Sequence, residues 1–447
     1  MSPLLIFFIL LNAYLLLLFV LLKTGWMQKL GMSLFGPALM IKTQRGRWLL
    51  DWFAKARRLF DWSAGFGVYL TAIIMFLMSL LLVVQLFFLF QVPVEATPSP
   101  RLILGIPGIN PIIPVGFGII ALIFAVVVHE FSHGILARVH NLRVQTMGLL
   151  FFIVPIGAFV EPDEAELRAA SRKQRLKVFG AGPTSNLFFA IIFGMIFSMG
   201  IMSGASPIPG VPIQGVEQDG PAFRAGIAPG SILTDMNGQA LQNASDFAAR
   251  MEDVRPGDQI LLSTHQGETY QVTAESCTQT YGYEYCRDNG RQDPDNESVL
   301  GVRIVTPPPN AVQNALAHPF QDWRNTLYYV GLPFQALRGE FPLVPPYTQF
   351  YETPYDQGTF WFLANLMYWL FWINLMLGLT NALPIVPLDG GHMFRDFVAG
   401  LHQKMRPQAS EERRDQVVKR VSLSVTFILL GLIILQFFAA RLAALFM

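Results

Sequence analysis

The chain predicts a polytopic α-helical membrane protein of about six transmembrane helices, with a membrane-associated β-hairpin and a small inserted α+β domain. Three observations carry this. Hydrophobic residues make up 52% of the 447 residues and charged residues only 14%, against about 25% charged in ordinary soluble domains, and mean hydropathy is +0.41. Six apolar runs, roughly 3–22, 66–91, 114–137, 179–203, 359–384 and 421–441, match the ~20 residues a helix needs to cross a bilayer. Between the fourth and fifth runs, residues 204–305 change character, with short alternating segments separated by turn signals.

The first run has no basic segment before it and no small-residue cleavage site. Lys23 and Lys29 follow it, which suits a retained span with its N-terminus outside. Basic residues set the orientation of the rest. Eight Lys/Arg fall in 23–58, seven in 138–177 and seven in 392–420, whereas the loop 92–112 carries only Arg101. Placing those three loops in the cytoplasm puts both termini, and everything from about 204 to 358, on the other side. A net charge of +1 offers no basic face, so nucleic acid is not an expected partner; membrane lipid is.

In the inserted region, Gln218-Asp219-Gly220-Pro221, Pro229-Gly230 and Arg255-Pro256-Gly257-Asp258 mark turns. Ile232-Leu233, Ile260-Leu261-Leu262 and 299–304 read as short strands, and Ala240 to Met251 as a helix. Gly220-Pro221-Ala222-Phe223-Arg224-Ala225-Gly226-Ile227, followed by Pro229-Gly230-Ser231-Ile232-Leu233 and Asn237-Gly238, resembles a PDZ domain of the protease-associated kind. Such a fold offers a sheet edge and groove to an extended peptide. Cys277 and Cys286 lack Cys-x-x-Cys spacing, so a cysteine metal site is not expected; a local disulfide and two free thiols both remain open. Asn243-Ala244-Ser245 and Asn296-Glu297-Ser298 match the glycosylation triplet, a pattern common by chance. The stretch 306–358, rich in Pro and aromatic residues, suits an interfacial segment.

The third run holds the chemistry. His129-Glu130-Phe131-Ser132-His133 follows the unbroken apolar stretch 119–128. On a helix, residues four apart share a face, so His129 and His133 can both address one metal ion, with Glu130 beside them. Ionisable residues are costly at membrane depth and are usually functional there. A catalytic zinc site needs a third protein ligand. Asp389 is the candidate, in Asn381-Ala382-Leu383-Pro384-Ile385-Val386-Pro387-Leu388-Asp389-Gly390-Gly391 at the end of the fifth run. Pro384 and Pro387 break the helix and Gly390-Gly391 free the backbone to bring Asp389 inward. His392 is a competitor nearer to water.

His129-Glu130-x-x-His133 within a span, with Asn381-x-x-Pro384 and Leu388-Asp389-Gly390 later and a PDZ-like domain between, resembles the site-2 protease family of intramembrane zinc metalloproteases. Gly182-Pro183-Thr184-Ser185-Asn186 is similar to a further motif of that family, and Gly157-Ala158-Phe159-Val160-Glu161 to its membrane-associated β-hairpin. The pattern looks prokaryotic, an archaeal source being one that fits. The resemblance implies Zn²⁺ held by His129, His133 and Asp389, with Glu130 as general base on water at the zinc and then as proton donor. Asn186 and Asn381 become candidates for binding the oxyanion, and Gly157 and Phe159 for binding substrate. It implies peptide-bond hydrolysis in a membrane-anchored substrate that another protease has already trimmed, as in regulated intramembrane proteolysis.

The expected organisation is two spans with a basic loop (1–92), a first part of the catalytic membrane core (113–204), the PDZ-like domain (205–305), an interfacial connector (306–358), a second part of the core (359–400), and a basic loop with the last span (401–447). A cation transporter and a catalytically inactive scaffold are the alternatives. Transporters seldom need a Glu adjacent to a ligand, no inverted repeat is evident, and the motif residues are intact. A substrate helix has its backbone groups paired within itself and must be unwound before cleavage. Replacing helix-weakening residues near the cut with good helix formers should therefore slow cleavage in a proteoliposome assay; an unchanged rate would remove the unwinding requirement.

Overall fold

The computed structural model describes residues 3–44, 46–89, 99–103, 105–152, 154–290 and 292–443. Arg45, the last two positions of the expected span 66–91, the loop stretch 92–98 and Ile153 lie outside the described residues. The chain divides into two compact units, Met1–Phe193 with Trp369–Met447, and Gly194–Tyr368. Five helices are long and apolar enough to cross a membrane, by length and composition: Arg57–Phe88, Val115–Val139, Arg172–Gly204, Gln357–Asn381 and Glu411–Phe438. The N-terminal apolar stretch Leu11–Thr24 is shorter. Of the six expected spans, five therefore meet that criterion among the described residues.

The first unit opens with α1 (Pro3–Thr24), then β1 (Met32–Phe35) and β2 (Ala38–Thr43). These strands form a hairpin whose two-residue turn starts at Gly36, with φ at +58°, a conformation that glycine adopts without a Cβ clash. α2 (Arg47–Ala54) and the long α3 (Arg57–Phe88) follow, then α4 (Val115–Val139). Pro114, in extended conformation, starts α4, and Asn141 in left-handed conformation ends its last turn. β3 (Val144–Phe152) and β4 (Val154–Pro162) complete a four-stranded antiparallel sheet in the order β1-β2-β3-β4.

The hairpin β3-β4, which contains the expected segment 157–161, is therefore half of a larger sheet. Its other half comes from the segment 32–43, which the sequence offers only as basic loop. Leu39 sits opposite Phe151, and Ile41 opposite Leu149. Tyr14 of α1 ties the sheet to the first helix: its hydroxyl accepts from the Leu39 N–H at 3.0 Å and lies 2.8 Å from the Pro37 carbonyl.

After α5 (Glu164–Ala169), capped by the Asp163 carboxylate on the Glu166 N–H, comes α6 (Arg172–Met195). That hydrogen bond holds the Asp163 carboxyl below its ordinary pKa. The buried positions of α3 are Ala64, Gly67 and Thr71, and those of α6 include Gly180, Ala181, Gly182 and Ala190. Small residues let membrane helices approach closely, which compensates for the weak hydrophobic drive between helices in lipid. Charged pairs tie the start of α6 to its neighbours: Lys177 with Asp61 of α3 at 2.6 Å, and Arg175 with Asp396 of the helix Asp389–Met405 through two guanidinium nitrogens.

The second unit contains a six-stranded sheet: β5 (Val211–Val216), β6 (Ile232–Met236), β7 (Gln259–Thr264), β8 (Thr269–Thr273) and β9 (Val302–Ile304) in the order β8-β7-β6-β5-β9, with Gln239–Ala240 paired to β6. One helix, α7 (Ala244–Met251), is capped by Asn243. The alternation along β7 turns Ile260 and Leu262 inward against Val211, Ile213, Leu233, Phe247 and Val272. Each such apolar side chain contributes about 1.5–3 kcal/mol by burial. Asn237 and Gly238, both at positive φ, make the tight turn that Asn-Gly predicts.

A pair of short helices, Cys277–Tyr281 and Tyr283–Asp288, is joined by a Cys277–Cys286 disulfide. The stretch 306–358 contains α8 (Pro309–Ala317) and α9 (Trp323–Gly331), with Phe320, Trp323, Leu327, Phe334 and Leu337 exposed. Then come α10 (Gln357–Asn381), α11 (Asp389–Met405) and α12 (Glu411–Ala443). Alkylation of the unreduced protein should label neither cysteine, and reduction should make both reactive; labelling before reduction would show that the pair is open.

Candidate metal centre

Both imidazoles stand on α4. Gly118, Ala121, Ala125, His129 and His133 form one buried stripe along it, small residues first and the two histidines last. The third group comes from the chain's other end. Asp389 is the first residue of α11, after the tightly turned loop 382–388, where the Val386 N–H donates to Thr426 Oγ1 of α12 at 3.1 Å. Gly390 and Gly391 are buried against that loop, and a Cβ on Gly391 would lie 2.5 Å from the Ile385 carbonyl oxygen. Glycine at these positions lets the first turn of α11 press onto the loop. With that approach made, Asp389 Oδ2 lies 2.9 Å from His129 Nε2 and 3.2 Å from His133 Nε2.

The far side of each ring decides what faces this point. His133 Nδ1 lies 2.7 Å from the Val178 carbonyl oxygen of α6. A carbonyl only accepts, so Nδ1 carries a proton, and in the neutral ring Nε2 presents a lone pair. His129 Nδ1 lies 2.6 Å from Asn186 Oδ1, again an acceptor. The Asn186 Nδ2 group faces the Ala125 carbonyl and Asn374 Oδ1, each at 2.9 Å. His129 is therefore also protonated on Nδ1.

With both rings neutral, two imidazole lone pairs and a carboxylate oxygen converge on one point. Asp389 Oδ2 is buried and makes no hydrogen bond of acceptable geometry. Three facing acceptors at this burial need a cation. Two neutral imidazoles and one carboxylate form a His₂-carboxylate donor set of the kind that holds a catalytic divalent metal with a position left open. The three atoms lie within 4.8 Å of one another, so one ion can meet all three. Gly182 of α6 closes the site from one side, where a Cβ would sit 2.5 Å from both Nε2 atoms.

Glu130, half-buried, accepts a hydrogen bond from the Val160 N–H of β4 at 3.1 Å through Oε2. β4 is an edge strand, and α4 packs along it. Because the Val160 amide points away from β3, antiparallel alternation points the Ala158 N–H and C=O the same way.

The other expected residues are distributed as follows. Both amide protons of Asn186 are engaged as described, and its Oδ1 faces His129 Nδ1. Asn381, half-buried, donates to the Leu377 carbonyl of its own helix at 3.1 Å. Gly157 and Phe159 lie on β4 opposite Leu150 and Gly148. The Phe159 ring lies across Gly148, 2.7 Å from where a Cβ there would be, on the face of the sheet and not at its edge. His392 stacks on Phe179 at 4.8 Å and stays outside the ligand group; burial lowers its pKa. Sequence reasoning gave no individual role to Asn374, to Gly182 or to the Val160 amide. Asn374 leaves a signal, a lone polar residue inside the apolar run Leu370-Phe371-Trp372-Ile373-Asn374-Leu375. The other two act through a missing side chain and a backbone group, which sequence does not advertise.

The family model for peptidase family M50 matches residues 117–429. The uncharacterised protein MJ0971 of Methanocaldococcus jannaschii is 25% identical over 308 residues, 68% of this chain and 60% of that protein. The probable membrane metalloprotease ARASP2 of Arabidopsis thaliana is 27% identical over 183 residues, 33% of this chain and 41% of that protein. A probable periplasmic serine endoprotease, DegP-like, of Brucella suis is 28% identical over 104 residues, 23% of this chain and 19% of that protein. The chain thus covers less than two thirds of the length of each of these relatives.

Gly182→Ala should abolish metal binding, since the added methyl group occupies space beside both Nε2 atoms. Metal analysis of the purified protein checks this, and full metal content in the variant would refute the placement of α6.

Proposed function

The chain belongs to peptidase family M50, the site-2 protease family, and on that premise we propose that it is a zinc-dependent intramembrane endopeptidase. The observation that carries the reading is the triangle of acceptors formed by His129, His133 and Asp389, beside a carboxylate one residue along α4. Zinc, when bound, would supply Lewis acidity and bring the pKa of water near neutrality. Glu130 would take the proton from the attacking water and return it to the leaving amine. The Val160 N–H holds Oε2, leaving Oε1, which has no partner among the described residues, to exchange that proton. Asn381 remains the candidate donor to the oxyanion, its donation to Leu377 being of a kind that a substrate carbonyl can replace.

The substrate is a membrane-anchored protein, unwound near the cut. The free edge of β4 suits it by strand addition. The backbone groups of Ala158 would make those bonds, because Val160 is committed to Glu130; Gly157 and Phe159 would shape the strand around them. The second unit would act as a PDZ-like filter or tether for a substrate that another protease has shortened. Its disulfide suits an oxidising, extracytoplasmic location, in keeping with a multi-pass protein whose termini lie on that same side. The exposed Phe320, Trp323 and Leu327 suit contact with lipid at the interface.

The decisive test is Glu130→Gln in the purified protein with a transmembrane substrate. Metal content should stay at the wild-type level while cleavage falls by about 10²–10⁴-fold, the usual worth of a general base. Cleavage that survives the substitution would exclude Glu130 from the chemistry.

A further inference from the structure

We infer that Asn374 is a positioning residue for the metal centre, acting through Asn186 to fix which nitrogen of His129 is free to ligate. The inference rests on the metal-centre reading above and deepens it. Asn186 and Asn374 are both completely buried, on α6 and α10, at a depth where an unpaired amide is costly. Their hydrogen bonds run in one direction. Asn374 Nδ2 donates to the Leu370 carbonyl at 2.7 Å. A carbonyl cannot donate, so the amide of Asn374 is held with Oδ1 toward Asn186. Asn186 Nδ2 donates to that oxygen and to the Ala125 carbonyl, each at 2.9 Å. Two acceptors on one side turn Asn186 Oδ1 toward His129 Nδ1, at 2.6 Å.

The consequence is chemical. With Oδ1 facing it, Nδ1 keeps the proton and Nε2 keeps the lone pair. If the Asn186 amide were reversed, its Nδ2 would donate to Nδ1, the ring proton would move to Nε2, and His129 would present N–H to the metal position instead of a lone pair. Outer hydrogen bonds of this kind fix the tautomer and orientation of a ligating histidine. Asn374 thus sets the state of a ligand that it does not touch. Ala125 is the residue one turn before His129, so the same amide also braces the α4 backbone that carries the ligand.

The test measures Co²⁺ and Zn²⁺ binding by chelator competition, together with the visible spectrum of bound Co²⁺, on the full-length protein in detergent. In Asn374→Leu the acceptor is removed, and affinity should fall by about 10–100-fold with a changed cobalt spectrum. Asn374→Asp keeps an acceptor for Asn186 and should restore affinity and spectrum to near the wild-type values. Asn365 is a second buried asparagine on α10, bonded to the Leu343 and Trp361 carbonyls; Asn365→Leu should leave both readouts unchanged. Wild-type affinity and spectrum in Asn374→Leu would overturn the inference and leave the metal centre standing. Equal loss in the Leu and Asp variants would also overturn it, by showing that only packing is at stake. A wild-type protein that bound no metal would overturn the metal centre itself, and this inference with it.

Discussion

Two imidazole lone pairs and one carboxylate oxygen aimed at a common point repel one another, and the surrounding structure is arranged to hold them there. Left to themselves, the rings would rotate or take up a proton on the inner nitrogen. The acceptor behind each ring, the Val178 carbonyl for His133 and Asn186 for His129, stops it rotating and keeps the proton of the neutral ring on Nδ1. Both acceptors belong to α6, so the packing of α6 on α4 decides the chemistry of residues that α4 carries. The closeness of that packing depends on the absence of a side chain at Gly182.

The same constraint explains how the distant ligand is delivered. Asp389 follows Asn381 by only eight positions, yet the chain must leave one helix, turn sharply and start another within that span. Prolines at 384 and 387 stop α10 from continuing, and Gly390 and Gly391 allow the new helix to begin against the loop that precedes it. α12 fixes the loop through Thr426. Asp389 sits at the N-terminus of α11, where helix amide dipoles favour a negative charge. The elements on either side of the loop thus serve one carboxylate.

The four-stranded sheet adds a second kind of control. Its edge strand, β4, runs along α4 and uses one amide to hold Glu130. Orientation of Glu130 and presentation of the outer edge of β4 are therefore properties of one strand. β1 and β2 stiffen it from the other side, and Tyr14 locks them to α1. A rigid edge loses less ordering entropy with each hydrogen bond it makes.

Membrane class, the apolar runs, the His129-Glu130-x-x-His133 pair and the inserted domain were determined by local sequence, because hydrophobic length, i,i+4 spacing and turn chemistry are short-range properties. The Gly-Gly after Asp389 carried a mechanism for turning it inward, and the structure brings it to the imidazoles. What no local pattern held was the identity of the partners behind each ligand. Asn186 read equally well as an oxyanion donor and as an interhelical bond, and only the tertiary structure sets Ala125 and Asn374 around it. The segment 32–43 read as basic loop because its pairing with β3 reaches about a hundred positions along the chain. Whether Cys277 and Cys286 pair was likewise settled by burial of both in one small cluster. Composition and spacing fix which groups are available; only packing between distant helices fixes which atom of each group faces which neighbour, because a hydrogen bond's direction depends on where both ends sit.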